Sequence, residues 1–207
     1  LKSKFNFKKS KLKNSQLLLE ENVSVSSKII EGGYTSIGAY TYLRSGGEIY
    51  GDVSIGRFCS IGNGVIIGLS RREHPIDWVS TSLFSKQLEN KYKKIYKPEP
   101  TLIGNDCWIG RNAVIMSGVN IGNGVIIAYG SIVTKDIPDY AIAAGNPAVI
   151  IKSRFTEKIQ AEFHKSKWWN LDVDLLPLEN FNDPEKFIKK IINLNLKSAN
   201  YKSIIIE

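Results

Sequence analysis

The 207-residue chain contains little histidine, cysteine or methionine: two histidines, two cysteines and one methionine. Two histidines cannot form a three-histidine zinc site, so we expect no metal ion. No segment approaches the ~20 consecutive apolar residues of a transmembrane helix, and residues 1–16 lack the apolar run of a signal peptide. From these absences we expect a cytoplasmic protein with no transmembrane segment.

The charge of the chain is unbalanced. Lysine and arginine number 28 against 20 acidic residues, a formal net charge of +8. This excess favours an anionic partner, such as a phosphorylated cofactor, a nucleotide sugar, nucleic acid or an acidic membrane surface. No recognised nucleic-acid-binding module accompanies the basic N-terminus, so we do not expect nucleic acid to be the partner.

An aliphatic residue recurs at every sixth position in two runs. The first run is Ile37, Leu43, Ile49, Ile55, Ile61 and Ile67, and the second is Ile103, Ile109, Ile115, Ile121, Ile127 and Val133. A helix would spread these residues around its surface, whereas a strand that turns a corner every six residues would point them all inward. Three such strands make one triangular coil of about 18 residues, and stacked coils pair in parallel. The repeat therefore predicts an all-β fold, a parallel β-helix.

Residues 69–101 interrupt the repeat. They have no six-residue period and contain prolines at positions 75, 98 and 100. The interval from Ile67 to Ile103 equals six whole repeats, so we predict a loop that leaves the prism and carries function. With that interval removed, Cys59 and Cys107 fall two repeats apart along the coil. We expect both to be reduced, buried and on different faces.

The period changes again after Val133. Thr156 is placed to cap one helix, and Asp183 with Pro184 to begin a second, whose apolar stripe is Phe187, Ile188, Ile191 and Ile192. We expect these helices to cover the open end of the prism. The chain is thus divided into a basic N-terminal segment (1–24), a β-helix (25–150) with a protruding active-site loop (69–101), and a C-terminal helical extension (151–207).

Three segments make the chain resemble the hexapeptide-repeat acyltransferases, and among them the xenobiotic and polysaccharide O-acetyltransferase branch. These are IGNDCWIG (103–110), GSIVTKDIPDYAIAAGNPA (130–148) and the loop sequence HPIDWVSTSLF (74–84). The resemblance implies a left-handed β-helix and a homotrimer with active sites between subunits. It also implies acetyl-CoA, or another acyl-CoA, as co-substrate, and His74 of the loop as the general base.

The resemblance further implies cofactor-binding positions. Trp108 matches a tryptophan near the reactive end of pantetheine, and Thr134 with Lys135 matches a pair near the nucleotide end of CoA. Lys152 is a further basic candidate. The positions whose backbones are implied to bond the pantetheine arm are Gly110, Arg111, Ala128 and Tyr129. Small residues are common where this chain has Arg111 and Tyr129, so the cofactor path or the acyl size could differ here.

The acceptor side is less well defined. Candidate substrate-binding residues are Tyr50, Asp52, Asp77, Trp78 and Ser82, with Arg44 as a further one. Asp and Ser residues in loops more often form local turns, and Trp78 is equally suited to anchoring the loop by burial. We expect His164, in the first C-terminal helix, to be a packing or surface residue.

The chemistry can also be argued without the resemblance. A sugar hydroxyl is a poor nucleophile toward a thioester, so the reaction needs a base within hydrogen-bond reach, and histidine titrates near neutral pH. We expect acetyl transfer to a sugar hydroxyl in surface polysaccharide or lipopolysaccharide biosynthesis. The alternatives are N-acylation of a nucleotide-linked amino sugar, where the amine needs less help from a base, and O-acetylation of an antibiotic. A carbonic anhydrase of the same prism fold needs three zinc-binding histidines, and a scaffold or ice-binding solenoid has no need of the loop.

Overall fold

In the computed structural model, which describes residues 3–5, 11–27, 29–194 and 196–207, the chain forms a left-handed parallel β-helix of about seven turns, as predicted. The strands are β1 (Lys4–Phe5), β2 (Lys11–Glu20), β3 (Ser24–Val25), β4 (Ile29–Ile37), β5 (Tyr42–Leu43), β6 (Glu48–Tyr50), β7 (Val53–Ile55), β8 (Ser60–Ile61), β9 (Ile66–Leu69), β10 (Thr101–Ile103), β11 (Trp108–Ile109), β12 (Val114–Met116), β13 (Asn120–Ile121), β14 (Ile126–Ile127), β15 (Ile132–Val133), β16 (Ala141–Gly145), β17 (Ala148–Ser153) and β18 (Ser203–Ile206). The helices are α1 (Lys86–Ile95), α2 (Glu157–Ser166) and α3 (Pro184–Leu194), with three short 3-10 turns between α2 and α3.

The strands form three faces of a triangular prism. Face 1 contains β1, β3, β5, β8, β11, β14 and β16, extended by the antiparallel β17. Face 2 contains the first halves of β2 and β4, then β6, β9, β12 and β15. Face 3 contains the second halves of β2 and β4, then β7, β10 and β13. Between them lie corner 1–2 (for example residues 110–113), corner 2–3 (117–119) and corner 3–1 (104–107).

The six-residue ladder forms the core of the prism, as predicted. All twelve aliphatic residues of the two runs are buried in one cluster, and Ile109, Ile115 and Ile127 are 0% exposed. Burying one such side chain contributes roughly 1.5–3 kcal/mol, so the ladder is the main source of stability. The parallel stacking begins before residue 25, because β2 pairs with β4 and places Leu17 and Leu19 in the same cluster.

The loop is shorter than the sequence spacing suggested, and this corrects the prediction for the cysteines. Ile61 pairs with Leu43, three repeats earlier, whereas Ile103 pairs with Ile55, eight repeats earlier, so the insertion takes the length of five repeats rather than six. Cys59 and Cys107 therefore stack on successive coils at corner 3–1, on the same side of the prism. Both are free and buried, and burial together with the neighbouring Cys59 raises the pKa of the Cys107 thiol.

The C-terminal extension packs along corner 3–1, which corrects the expectation that it would cover the open end of the prism. Its aromatic cluster meets the prism where Trp168 lies 4.9 Å from Phe58 and Phe163 lies 5.8 Å from Tyr140, measured between ring centroids. The C-terminal helices lie along this corner because they bury the aromatic side chains that the corner would otherwise expose to solvent. β18 then returns to pair antiparallel with β2.

The predicted helix starts are largely confirmed. α2 begins after Thr156, although the Thr156 side chain makes no capping hydrogen bond. Asp183 precedes Pro184 at the start of α3, and its carboxylate accepts a hydrogen bond from the Lys186 backbone N–H at 3.1 Å. Ile192 does not belong to the buried stripe of α3, since it is 56% exposed.

Two ion pairs hold the extension and the first coil against the prism. Arg57 donates two 2.6 Å hydrogen bonds to Glu20 and a third to Asn170, while Arg154 pairs with Asp106 at 3.0 Å. Burial raises the pKa of Asp106, and Arg154 offsets part of this effect. Among the described residues, none of the helices has the length and apolar character needed to cross a membrane.

Candidate active site

The loop leaves the prism from corner 2–3, between β9 and β10. Its base is hydrogen-bonded to the coils above and below: Arg71 Nε donates to Ser117 O at 2.9 Å, and Thr101 N donates to Asp52 O at 2.9 Å. The loop also contains α1, which sequence reasoning missed. The available signal was Ser85, whose hydroxyl caps the helix by accepting from the Leu88 N–H.

His74 is exposed in the first part of this loop, and its ring is oriented by the backbone. Its Nδ1 lies 2.8 Å from Thr81 O. A carbonyl oxygen can only accept, so in the neutral imidazole Nδ1 carries the proton and Nε2 presents its lone pair. This is the tautomer that a general base acting through Nε2 requires.

The backbone of His74 is fixed independently of its ring. The buried Tyr92 of α1 donates its hydroxyl to His74 O at 2.8 Å, and Pro75 is buried next to it. Trp78 packs edge-on against Tyr92, with ring centroids 5.5 Å apart, and the Lys91 ammonium lies 5.5 Å from its ring centroid. These contacts are those of a loop anchor, the second of the two roles considered for Trp78.

The two remaining loop candidates have no such anchoring contacts. Asp77 and Ser82 are both exposed. The Ser82 N–H donates to the Ser80 hydroxyl at 3.0 Å, a local turn contact. Their part in acceptor binding stays a prediction.

A groove of about 790 Å³ runs along face 1 and corner 1–2. We call it the face 1 groove; it is lined by Tyr42, Arg44, Ser60, Gly62, Asn63, Trp108, Arg111, Asn112, Tyr129 and Gly130. Trp108 is 45% exposed and Tyr129 is 70% exposed, with their rings edge to face at 5.9 Å. Large aromatic side chains that are exposed beside a concave surface are common at binding sites, which makes this groove the candidate site.

Glycine is required where successive coils approach closely at the groove. A Cβ on Gly110 would lie 2.7 Å from Tyr129 N and 2.8 Å from Ala128 C. The N–H groups of Gly110 and Ala128 donate to the next coil, so these residues can offer a ligand only their carbonyl oxygens. The N–H groups of Arg111 and Tyr129 have no hydrogen-bond partner within the described ranges and are available as donors.

The residues predicted to bind the nucleotide end of CoA lie in two separate places on the prism. Lys152 of β17 is in register with Ile142, on face 1, three strands from Trp108 and so roughly 14 Å away along the groove. Thr134 and Lys135 instead follow face 2 and lie at corner 2–3, on the side of the loop. Within one chain they do not share the groove with Trp108.

Tyr50 and Asp52 lie at corner 2–3, next to the base of the loop. The Tyr50 hydroxyl donates to Glu48 at 2.6 Å, and this bond, with burial, raises the pKa of Tyr50 to about 12. Asp52 Oδ1 accepts from Tyr34 N at 2.8 Å. Both side chains are therefore partly used by the prism itself, and their role in acceptor binding stays a prediction.

His74 and Trp108 lie on different sides of the prism, because Trp108 is on face 1 and the loop with His74 leaves from corner 2–3. The loop leaves corner 2–3, whereas the groove follows face 1 and corner 1–2. The other histidine, His164, packs on Tyr140 and lies 3.1 Å from the Asp139 carboxylate, as expected of a packing residue. The described residues contain no group of three or more His, Cys, Asp or Glu side chains placed to hold a metal ion.

Sequence reasoning missed several groove residues, chiefly Tyr42, Ser60 and Asn63. Tyr42, Ser60 and Trp108 occupy the same position on three successive coils. Counting three repeats per coil, with five repeats removed for the loop, would have placed all three in one column.

Comparisons with known proteins agree with this architecture. Residues 100–135 match the family model described as bacterial transferase hexapeptide (six repeats). The chain is 41% identical over 126 residues to a chloramphenicol acetyltransferase of Klebsiella aerogenes, covering 58% of this chain and 60% of that protein. It is 38% identical over 130 residues to a probable macrolide acetyltransferase of Lysinibacillus sphaericus, covering 59% of this chain and 72% of that protein.

A solved structure is similar over a longer part of the chain. The polySia specific acetyltransferase NeuO superimposes with a TM-score of 0.55 at 31% identity, covering 75% of this chain and 72% of that one. Two of these relatives are covered over more than two thirds of their own length, at 38% and 31% identity. The chain belongs to the hexapeptide-repeat acyltransferases.

Proposed function

We propose that this protein transfers the acetyl group of acetyl-CoA to a hydroxyl of a sugar, with His74 as the general base. The observation that carries the proposal is the 2.8 Å contact between His74 Nδ1 and Thr81 O, which leaves Nε2 free to accept a proton. The acceptor oxygen attacks the thioester carbonyl and gives its proton to Nε2. The carbon–sulfur bond then breaks, and the CoA thiolate leaves and takes up a proton.

The face 1 groove suits the CoA chain. Trp108 offers an exposed ring for the reactive end of pantetheine, and the free N–H groups of Arg111 and Tyr129 can bond its amides. Lys152 offers a positive charge farther along the same face, toward the phosphates. In this proposal Thr134 and Lys135 would reach the nucleotide from the neighbouring subunit.

We also propose a homotrimer. The loop with His74 leaves one prism at corner 2–3, whereas Trp108 is on face 1, so a complete site needs the loop of one copy beside the groove of the next. Face 2 carries a half-exposed aliphatic stripe on consecutive strands, Ile66, Val114 and Ile132, a surface suited to a second copy of the chain. A cytoplasmic enzyme modifying surface polysaccharide precursors is consistent with these features.

A second candidate is O-acetylation of an antibiotic. It is favoured by the likeness to proteins named chloramphenicol acetyltransferase, of which this chain spans about 60% of the length. The chemistry would be the same, because the acceptor is again a hydroxyl and the same base would take its proton.

The proposal is tested by incubating the purified protein with radiolabelled acetyl-CoA and three acceptor sets: sugars with free hydroxyls, amino sugars and chloramphenicol. We expect transfer to a hydroxyl sugar, lost in His74→Ala. Transfer only to chloramphenicol would favour the second candidate, and transfer only to amines would contradict O-acetylation. No binding of acetyl-CoA by calorimetry would overturn the assignment of the groove.

A further inference from the structure

Two arginines of the face 1 groove have no anionic partner. The chain has six arginines; Arg57 and Arg154 pair with carboxylates, and Arg71 with a backbone carbonyl. The Arg44 guanidinium lies 5.3 Å from the ring centroid of Tyr42, and among the described residues neither this group nor the guanidinium of Arg111 has an ion pair or a hydrogen bond. No Asp or Glu lines the groove. The positive charge there is uncompensated.

We call the part of the groove between Tyr42 and Trp108 the depression. Tyr42, Ser60 and Trp108 occupy the same position on three successive strands of face 1, so the Cα atoms of Tyr42 and Trp108 are about 10 Å apart. The coil between them contributes Ser60, Gly62 and Asn63 to the groove, with no large apolar side chain among these three residues. A pyranose can therefore enter between Tyr42 and Trp108 and stack its apolar face on an aromatic ring.

The depression lies on the acceptor side of the reactive end. In the proposed function the thioester sits at Trp108 and the CoA phosphates lie toward Lys152. Arg44 is at the opposite end, separated from β17 by the strands β8, β11, β14 and β16, or roughly 24 Å. A group bound by Arg44 is thus on the acceptor, because the phosphates of the donor point the other way.

We propose that the acceptor is an acidic glycan whose charged sugar is held by Arg44 and stacks on Tyr42, beside the thioester at Trp108. This inference rests on the proposed function. A guanidinium binds carboxylate and phosphate with paired hydrogen bonds, so either anion on the sugar fits. The uncompensated Arg44 and Arg111 would also attract such a glycan from solution.

The inference is tested by measuring retention of the protein, with CoA present, on immobilised oligosaccharides in matched forms: uronic acid, its methyl ester, the neutral sugar, and the neutral sugar bearing one phosphate. At about 0.15 M salt we expect an acidic form to be retained at least about tenfold more tightly than its neutral counterpart. Arg44→Gln should remove this preference. The uronic acid and phosphate arms decide which anion is recognised.

Lys189→Gln is the matched control, because it removes the same charge from an exposed position on α3, away from the groove. It should leave retention within about twofold of wild type. Equal loss in both variants, unchanged retention in Arg44→Gln, or no preference for an acidic form would overturn the inference. Weaker acetyl-CoA binding by Arg44→Gln would place Arg44 in the donor site and also overturn it, while leaving the proposed function intact. If the protein retains the acidic oligosaccharide through Arg44 but transfers no acetyl group to any acceptor, the proposed function is contradicted and the inference about Arg44 stands.

Discussion

Replacing His74 with alanine should separate catalysis from folding. In the described structure the only hydrogen bond of the His74 ring is the one to Thr81 O, and its loss costs about 0.5–1.5 kcal/mol. The backbone anchors at Pro75 and at the Tyr92 hydroxyl remain in the variant. Removal of a general base lowers kcat about 10² to 10⁴-fold, or roughly 2.7–5.4 kcal/mol of barrier. The effect on kcat should therefore exceed the effect on stability several times over.

The assay follows release of the CoA thiol at saturating acetyl-CoA, with thermal unfolding and acetyl-CoA affinity measured on the same samples. We expect an intact fold, unchanged acetyl-CoA affinity and the loss of kcat. Tyr92→Phe is the comparison variant, since it removes the anchor of the His74 carbonyl while keeping the imidazole. A folded His74→Ala protein with near wild-type turnover would refute the base assignment, and parallel loss of activity and stability would reduce His74 to a structural residue.

Further changes test the assembly, the groove and the fold. Val114→Glu, on the partly buried aliphatic stripe of face 2, should yield monomers by light scattering and abolish activity; trimers of normal mass would exclude this face from the interface. Gly110→Val should lower stability by about 1–3 kcal/mol in chemical denaturation, because the coils have no room for a side chain; an unchanged midpoint would contradict that packing. Lys152→Ala should weaken CoA binding by about 1–2 kcal/mol in calorimetry, and unchanged binding would remove it from the site. Burial acts to raise the pKa of Glu20, but Arg57 lowers it below 4.5, so the pair stabilises the fold above that pH and the contribution is lost as pH falls through the lowered pKa. Glu20→Gln should cost about 2 kcal/mol at pH 7 and progressively less as the pH falls through the lowered pKa of Glu20, whereas a cost that does not change with pH would show that the charge does not matter.

The core of the prism could be predicted from the sequence, because each coil repeats the same demand for an inward aliphatic residue. The coil to which each residue belongs could not be predicted from the sequence. A six-residue period is unchanged by an insertion as long as five repeats or as long as six, so the pattern alone cannot tell whether Cys107 stacks on Cys59 or faces away. Only the strand pairing, Trp108 against Ser60, settles it.

The same ambiguity limits what the sequence says about the site. His74 and Trp108 can be recognised from their neighbours in the chain, but the placement of Trp108 on face 1, away from the corner where the loop leaves, depends on the number of repeats that the loop replaces. The position of the C-terminal extension could not be predicted for a different reason. It follows aromatic residues at corner 3–1, such as Phe58 and Tyr140, which have positive φ and do not follow the period of the ladder.

The loop leaves and rejoins the prism at the same corner, so it can be replaced without changing the prism. β9 ends at Leu69, β10 begins at Thr101, and the coils on either side bond to these two ends through backbone atoms. Replacement of the intervening residues changes no inward side chain and no strand register. Loops from related proteins can therefore be grafted between the same two strands, which would exchange the contacts made by the loop and leave the face 1 groove, with Arg44 and Tyr42, unchanged.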